Sequence, residues 1–183
     1  MSASRMDIRS VLARITSALR EARIDHALIG GLALAAHGAA RATVDLDLLA
    51  DGDRAEDIDR LLRSFGYQCL HRGEHAANYA SEDPVSGRVD FLFARHEIGR
   101  AMLVRATPHV AAGDAAVPVV DAADLIGLKV QASSNNPRRR HRDMADIERL
   151  LESVLELDLE RVRKYFRLFD REKELDALLE ESR

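Results

Sequence analysis

Two aspartates within an apolar run have a type and spacing that could do chemistry. The run Val44-Asp45-Leu46-Asp47-Leu48 alternates apolar and acidic residues, which predicts a β-strand with Val44, Leu46 and Leu48 facing a core. Residues two apart on a strand point to the same side, about 6.5–7 Å from each other. Two carboxylates so placed repel, and either water or a shared divalent cation such as Mg²⁺ stabilises them. The pair therefore indicates either a cation site or a solvated acidic strand face.

A third carboxylate, Asp90, occurs in a second run of the same kind, Arg88-Val89-Asp90-Phe91-Leu92-Phe93. The alternation places the apolar residues Val89, Phe91 and Phe93 on one face and Asp90 on the other. Three acids on neighbouring strands are what a two-metal phosphoryl-transfer site requires, because its ions activate the attacking oxygen and steady the leaving pyrophosphate. Taken alone, Asp90 is more typical of a solvated strand surface.

The pair Gly30-Gly31 separates the apolar run 27–29 from the helix-forming segment 32–36. Without Cβ atoms, backbone N–H groups at such a turn can approach a phosphate closely. The pair matches neither the Gly-x-Gly-x-x-Gly pattern nor the P-loop. It therefore predicts either a phosphate-binding turn or an ordinary connection between a strand and a helix.

The elements that must position these residues follow from the hydrophobic periodicity. Residues 6–23 have the spacing of an amphipathic helix, and the helical pattern returns over 96–104. Short strands are predicted at 27–29, 44–48, 67–71, 77–81, 88–93 and 117–120. From Asp121 onward the pattern predicts three or four helices, with breaks at 135–137 and near residues 158 and 170.

This element order predicts an α+β fold with a small mixed sheet and flanking helices. We expect residues 1–93 to form the α+β core, and residues 94–183 to form a mainly helical part packed on that core. The length of 183 residues fits about one domain. No segment is rich enough in Gly or Ser to act as a linker between independent domains.

Composition excludes several classes of protein. The chain is 46% hydrophobic and 32% charged, which argues against disorder. It has no apolar run near the roughly 20 residues needed to span a bilayer and no apolar stretch typical of a signal peptide, so we expect no membrane association and a cytoplasmic location. The single Cys69 excludes an intramolecular disulfide. A net charge of -4 means that any surface for nucleic acid would be a local patch.

The motifs occur in an order that resembles a known superfamily. In sequence they are Ile29-Gly30-Gly31-Leu32-Ala33 with His37-Gly38, Arg41-Ala42-Thr43 running into the aspartate pair, Val89-Asp90-Phe91-Leu92, residues 119–129, and residues 142–150. The order resembles the DNA polymerase beta-like nucleotidyltransferases, and within them the small bacterial AbiEii-like group, which includes toxins of toxin-antitoxin systems. The resemblance spans residues 26–151.

The resemblance implies a role for each motif. It implies that Asp45, Asp47 and Asp90 ligate Mg²⁺ or Mn²⁺, and that Gly30 and Gly31 contact the triphosphate of an NTP substrate. Gly-Gly stands where many relatives carry Gly-Ser, which leaves backbone N–H groups to contact the phosphate.

The resemblance further implies supporting roles for Lys129 and Asp146. We expect Lys129 to hold the triphosphate; a lysine that extends to water from the flank of a helix is the alternative. Arg41 and Thr43 could touch a phosphate, although a structural ion pair and a strand hydroxyl are the plainer interpretations.

The helical half adds two features. Over 142–154 the spacing predicts a core face of Met144, Ile147, Leu151 and Val154, with the pairs Arg139/Asp143 and Arg142/Asp146 spaced for i,i+4 ion pairs. The segment 138–142 contains four arginines, which could bind the phosphates of a nucleotide or of RNA or could simply face water.

Together these features predict a metal-dependent nucleotidyltransferase that moves an NMP from an NTP to an acceptor hydroxyl and releases pyrophosphate. In this prediction Asp90 draws the proton from the acceptor. The acceptor is RNA or protein, and a partner protein of a toxin-antitoxin pair is expected. The rival interpretation is a non-catalytic binding module of the same fold, an antitoxin or a regulator, against which the three clustered acids count.

Overall fold

The computed structural model describes residues 7–110 and 116–181. The chain divides into two compact units. Of the described residues, the first unit contains 7–32, 42–110 and 116–120, and the second contains 33–41 and 121–181. We call them the sheet unit and the helical unit.

The sheet unit is built on one mixed sheet in which the described residues supply seven strands. They are β1 (His26–Leu28), β2 (Asp45–Asp51), β3 (Tyr67–Arg72), β4 (Ala76–Ser81), β5 (Arg88–Ala94), β6 (Thr107–Val110) and β7 (Ala116–Val119). Their order across the sheet is β3-β4-β5-β2-β1-β7-β6. The pairs β2/β5 and β1/β7 are parallel, and the other neighbours are antiparallel.

Helices α1 (Ile8–Glu21), α3 (Ala55–Ser64) and α4 (Glu97–Arg105) pack against strands of the sheet unit. Helix α2 (Gly30–Ala36) begins in the sheet unit, and its residues from Ala33 onward belong to the helical unit. The side chain of Asp7 accepts a hydrogen bond from the Ser10 N–H and so caps α1. Burial raises the pKa of the Tyr79 hydroxyl, which stays protonated and donates a hydrogen bond to Asp59 on α3.

The alternation predicted for the two acidic strands is confirmed. Leu46 and Leu48 are fully buried on β2, and Val89 and Phe91 are buried on β5. The prediction for Val44 is wrong, because β2 begins at Asp45 and Val44 is 61% exposed. The acidic side chains therefore lie on the face away from this core.

In the described part of the helical unit, four α-helices follow Asp121, within the three or four that the sequence predicts. They are α5 (Ala122–Asn135), α6 (Arg140–Ser153), α7 (Leu159–Arg167) and α8 (Glu172–Glu181). Asp121 and Asp158 cap α5 and α7 by accepting backbone hydrogen bonds of 3.0 and 2.9 Å. None of the helices in the described parts of the chain combines the length and the apolarity that a membrane crossing demands.

The α+β fold class is confirmed, with a difference at the edge of the sheet. Strand β6 was not predicted; its sequence Thr-Pro-His-Val has no clear alternation, and it forms by pairing with β7. Because β7 in turn pairs with β1, residues 94–110 and 116–120 belong with the sheet. After these residues the helical unit resumes at Asp121.

The buried face of α6 differs from the prediction. Asp143, Asp146, Ile147 and Leu150 are buried, whereas the other members of the predicted face, Met144, Leu151 and Val154, are partly exposed. The buried face is rotated because cations from other segments contact the two aspartates. A hydrophobic pattern does not anticipate this burial, since it assigns carboxylates to the surface.

One glycine of the helical unit is required by close packing. A Cβ atom at Gly127 on α5 would lie 2.6 Å from the ring of Tyr165 on α7, which is buried and donates a hydrogen bond of 2.6 Å to Asp124. The Tyr165 ring therefore occupies the space that a side chain at residue 127 would need.

We expect Gly127→Ala to lower the free energy of unfolding by about 1–2 kcal/mol, because overpacking outweighs the gain in helix propensity. Urea denaturation measures this change. In a Tyr165→Leu background the ring is gone, and the same substitution should be neutral or stabilising. An equal loss in both backgrounds would show that the Tyr165 contact is not the cause.

Candidate active site

The three predicted carboxylates lie on two adjacent strands of the sheet unit. In the parallel pair β2/β5, Asp47 is the direct partner of Asp90, and Asp45 is the partner of Arg88. All three aspartates are partly exposed, and the residues that alternate with them are buried. The register therefore brings Asp47 and Asp90 side by side on one face, with Asp45 next along the same strand.

Gly30 closes one side of this carboxylate group. Its φ of +64° lies in the left-handed region, and a Cβ atom at this position would overlap the Asp47 carboxylate, with Asp47 Cγ only 2.6 Å away. The backbone is held in this position by a hydrogen bond of 3.1 Å from the Ile29 N–H to the Asp47 carbonyl. The glycine is needed because the backbone and the carboxylate share the space of a side chain.

Gly31 is required for a different contact. A Cβ atom there would lie 2.5 Å from Cβ of Thr43. The Thr43 hydroxyl donates a hydrogen bond of 3.4 Å to the carbonyl of Asp45. Thr43 thus packs between the start of α2 and the start of β2. It lies two residues before β2, so the interpretation of its hydroxyl as a strand hydroxyl is wrong.

Asn78 is a site residue that the sequence interpretation did not identify. It is the direct partner of Asp90 in the antiparallel pair β4/β5, and its Nδ2 donates a hydrogen bond of 2.9 Å to Asp90 Oδ1. A polar residue between the buried Ala77 and Tyr79 was the available signal. Only the register of the β4/β5 hairpin, however, shows that Asn78 lies opposite Asp90.

The donor set fits a hard divalent cation in its chemistry. Asp45, Asp47 and Asp90 offer only carboxylate oxygens, and Asp47 lies in a cradle that a side chain at residue 30 would fill. Within residues 7–110 and 116–181, however, no three acidic, histidine or cysteine side chains are arranged as a ready ligand set. The three aspartates therefore suit a divalent cation in their side-chain chemistry and in their positions on neighbouring strands.

In the helical unit, Lys129 and Asp146 belong to a buried ionic cluster. Lys129 on α5 is 5% exposed, and its Nζ donates to Asp146 Oδ2 at 2.7 Å and to Asp143 Oδ1 at 3.3 Å. Both aspartates are completely buried on α6. The ammonium therefore points inward, and the alternative of a lysine extending to water is wrong.

Three arginines surround the same two carboxylates. Arg41 and Arg149 form ion pairs with Asp146 at 3.0 and 3.2 Å, and Arg139 lies 3.3 Å from Asp143 Oδ2, an atom that makes no hydrogen bond. Four cations thus contact two carboxylates. The structural ion pair foreseen for Arg41 is present, as is the Arg139/Asp143 pair.

The remaining arginines of the segment 138–142 face outward. Arg140 forms an ion pair with Glu174 at 2.6 Å, whereas Arg138 and Arg142 are exposed and form no ion pair within the described part of the chain. The predicted Arg142/Asp146 pair is wrong, because Asp146 is already contacted by the three cations of the cluster. Arg138 and Arg142 therefore remain accessible to an external anion.

A groove of about 530 Å³ in the sheet unit lies away from the three carboxylates. Its polar lining includes Asp25, His26, Asp51 and Arg100. His26 and Asp51 are at the start of β1 and the end of β2, the ends opposite to Gly30 and Asp45. Burial lowers the pKa of His26. The carboxylates thus form a separate site at the other end of these strands.

Comparison with known proteins gives a family match. The model of a family described as "Nucleotidyl transferase AbiEii toxin, Type IV TA system" matches residues 11–182. This match confirms the resemblance inferred from the motifs. Comparison with curated protein sequences gives no match.

Solved structures share the fold at low sequence identity. The antibiotic-resistance factor ANT(2'')-Ia is 17% identical with a TM-score of 0.64, over 94% of this chain and 95% of that chain. The lincosamide antibiotic adenylyltransferase LnuA is 13% identical with a TM-score of 0.53, over 82% and 99%. An antigenic nucleotidyltransferase-like protein from Paracoccidioides brasiliensis is 16% identical with a TM-score of 0.55, over 94% and 91%.

We expect Lys129→Met to lower the free energy of unfolding by about 3–5 kcal/mol, because it leaves two buried carboxylates short of a partner. Urea denaturation provides the measurement. Lys129→Met combined with Asp143→Asn removes one charge of each sign and should recover part of the loss. If Lys129→Met left stability unchanged and raised only the KM for NTP, the lysine would be a phosphate ligand and not a member of a structural cluster.

Proposed function

This chain belongs to the AbiEii nucleotidyltransferase family, and we propose that its sheet unit catalyses metal-dependent transfer of an NMP from an NTP to an acceptor hydroxyl. The observation that carries the proposal is the pairing of Asp47 with Asp90 across β2/β5, with the backbone of Gly30 against Asp47. A solvated strand face would not require a glycine pressed against one of its carboxylates. The arrangement is suited to holding a cation and a phosphate close together.

Asp45, Asp47 and Asp90 are the residues that would hold Mg²⁺ or Mn²⁺. When bound, the cation supplies positive charge that offsets the negative charge of the three carboxylates and of the triphosphate. The carboxylates contribute the oxygen ligands that such hard cations prefer. Their position on two neighbouring strands lets a rigid sheet orient them.

The start of α2 is the proposed nucleotide contact. The missing Cβ atoms let Asp47 and Thr43 pack directly against this backbone. Gly30 is partly exposed and Gly31 is buried, so a phosphate would approach from the side of Gly30. Because α2 has only seven residues, we assign the contact to backbone N–H groups and not to a helix dipole. Thr43, which packs on Gly31, keeps this backbone next to the carboxylates.

Asp90 is proposed to accept the proton of the acceptor hydroxyl. As the proton leaves, the acceptor oxygen forms a bond to the α-phosphorus of the NTP, and the bond from that phosphorus to the bridging oxygen of the β-phosphate breaks. The products are the nucleotidylated acceptor, pyrophosphate and one proton. Asp90 is partly exposed, so an acceptor can reach it.

Lys129, Asp146 and Arg41 are proposed to act through the ionic cluster of the helical unit. Their contacts at 2.7 and 3.0 Å hold α5, α6 and the segment 33–41 together. Four cations facing two carboxylates leave an excess of positive charge on this cluster. That excess supports a role in the electrostatic attraction of an anionic substrate.

We assign the acceptor to RNA, on the basis of Arg138 and Arg142. Arg138 lies in the 3-10 turn Pro137–Arg139 that precedes α6, and Arg142 lies in the first turn of α6. Both side chains are exposed, and guanidinium groups suit a phosphodiester backbone. An acceptor hydroxyl on a protein is the other outcome of the same assay. The family match supports a role as the toxin of a toxin-antitoxin pair, with a partner protein that restrains it.

We expect the double change Asp45→Asn and Asp47→Asn to reduce NMP transfer by at least about a thousandfold. The reason is that charge stabilisation by a metal ion is worth several kcal/mol, and each 1.36 kcal/mol corresponds to tenfold in rate. Transfer of label from α-labelled NTPs to total RNA or to lysate protein, with Mg²⁺ or Mn²⁺, measures the effect.

The matched control is Asp25→Asn with Asp51→Asn, two carboxylates at the opposite end of β1 and β2. Both double variants remove the same charge, and both should keep the fold by circular dichroism. Full activity of the Asp45/Asp47 variant would refute the mechanism. No transfer and no metal-dependent NTP binding by the unmodified protein would favour the non-catalytic binding module.

A second prediction tests the acceptor surface. Arg138→Glu with Arg142→Glu should weaken RNA binding and reduce the slope of log affinity against log salt by about two, because each lost phosphate contact lowers that slope by about one. NTP binding should not change. Lys164→Glu with Lys173→Glu makes the same charge change elsewhere on the helical unit and should have little effect. Equal RNA affinity in all three proteins would exclude Arg138 and Arg142 as the acceptor surface.

A further inference from the structure

A row of three polar residues crosses the sheet at the level of the proposed site. Asn78 on β4 is the direct partner of Asp90 on β5, which is the direct partner of Asp47 on β2. Neighbouring strands are about 4.8 Å apart, so Asn78 stands on the side of Asp90 that faces away from Asp47. We propose that Asn78 is a positioning residue that orients Asp90 for cation binding and proton transfer, an inference that rests on the proposed function.

The contact that carries the proposal is a hydrogen bond within the sheet. Nδ2 of Asn78 donates to Oδ1 of Asp90 at 2.9 Å. Ala77 and Tyr79, the neighbours of Asn78 along β4, are completely buried on the opposite face. Ala76 and Ala80 flank Asn78 on its own face with methyl groups. Between Ala76 and Ala80, Asn78 therefore supplies the single polar side chain on this face of β4.

This hydrogen bond distinguishes the two oxygens of Asp90. An amide N–H group donates and cannot take up a proton, so the bond from Asn78 uses one acceptor position of Oδ1 and fixes the direction of that oxygen from a rigid strand. We assign Oδ2, which takes no hydrogen bond from Asn78, to a cation or to the proton of an acceptor. A carboxylate held in this way does not need to find its orientation again in each catalytic cycle.

Residues that orient a metal ligand without touching the metal typically change metal affinity or activity by about 10–100-fold when they are replaced. We therefore expect Asn78→Leu, which keeps the size of the side chain but removes the donor, to lower kcat within that range. The KM for NTP should stay nearly constant, because Gly30 and Gly31 hold the nucleotide. The Mn²⁺ concentration for half-saturation should rise about tenfold or more.

Two further variants separate orientation from packing. Asn78→Asp keeps the shape of the side chain but sets a second carboxylate against Asp90, so we expect a loss at least as large as that of the leucine variant. Asn78→Thr retains a hydroxyl donor on a strand position and should recover part of the activity. A residue that only packs would tolerate the isosteric aspartate better than the threonine.

The matched control is Gln68→Leu on β3, which removes an exposed amide whose donor contacts Glu82. It should leave kcat and Mn²⁺ binding unchanged. Mn²⁺ binding is measured in the absence of turnover, from the loss of the electron paramagnetic resonance signal of the free ion. Thermal unfolding of every variant shows whether the fold is retained.

The outcomes separate this proposal from the function on which it rests. An active wild type, an inactive Asp90→Asn variant and an Asn78→Leu variant with wild-type kcat and Mn²⁺ binding would overturn the role of Asn78 alone. A wild type that neither transfers NMP nor binds Mn²⁺ would overturn both. Lower kcat together with weaker Mn²⁺ binding in Asn78→Leu, partly restored in Asn78→Thr, would support it.

Discussion

The contact between Asp47 and the backbone of Gly30 is the constraint on which the rest of the site depends. Asp47 lies where residue 30 would carry its side chain, and the left-handed φ of +64° at Gly30 independently favours glycine. Because Gly31 and Thr43 meet in a second close contact, the first two residues of α2 and the chain around the start of β2 are held together at two points. The Asp47 carboxylate and the Gly30 backbone therefore lie on one surface. In the proposed function, a cation and a phosphate that bind there would partly neutralise each other's charge.

The helical unit contains buried carboxylates that are paired with cationic side chains. Asp143 and Asp146 are completely buried, which would be costly for isolated carboxylates. Lys129, Arg41, Arg139 and Arg149 offset that cost through contacts of 2.7–3.3 Å. Buried ion pairs of this kind determine which segments pack together more than they increase the free energy of unfolding. Here they join α5, α6 and a segment that is 105 residues distant from Asp146 in sequence.

Sequence periodicity was sufficient for most elements of the fold, because an alternating or helical pattern reports burial directly. The strands at 67–72, 76–81 and 88–94, helix α4 and the breaks between the last four helices all carry such a pattern. The pattern does not apply where charged residues are buried by partners from elsewhere, which is why the core face of α6 was misplaced. It is also weak in β6, whose place depends on β7 and not on its own residues.

The candidate site shows the same difference between residues that the local sequence identifies and residues that only the fold identifies. Periodicity and composition singled out Asp45, Asp47, Asp90 and the glycine pair, because each stands out against its immediate neighbours. The reason that residue 30 must be glycine is not local, since it depends on Asp47, seventeen positions later. Asn78 is the clearer case: one amide in a short strand is unremarkable until the β4/β5 hairpin sets it opposite Asp90. Residues that hold catalytic groups in place are defined by register, and register is settled by turns and by the burial of the other face.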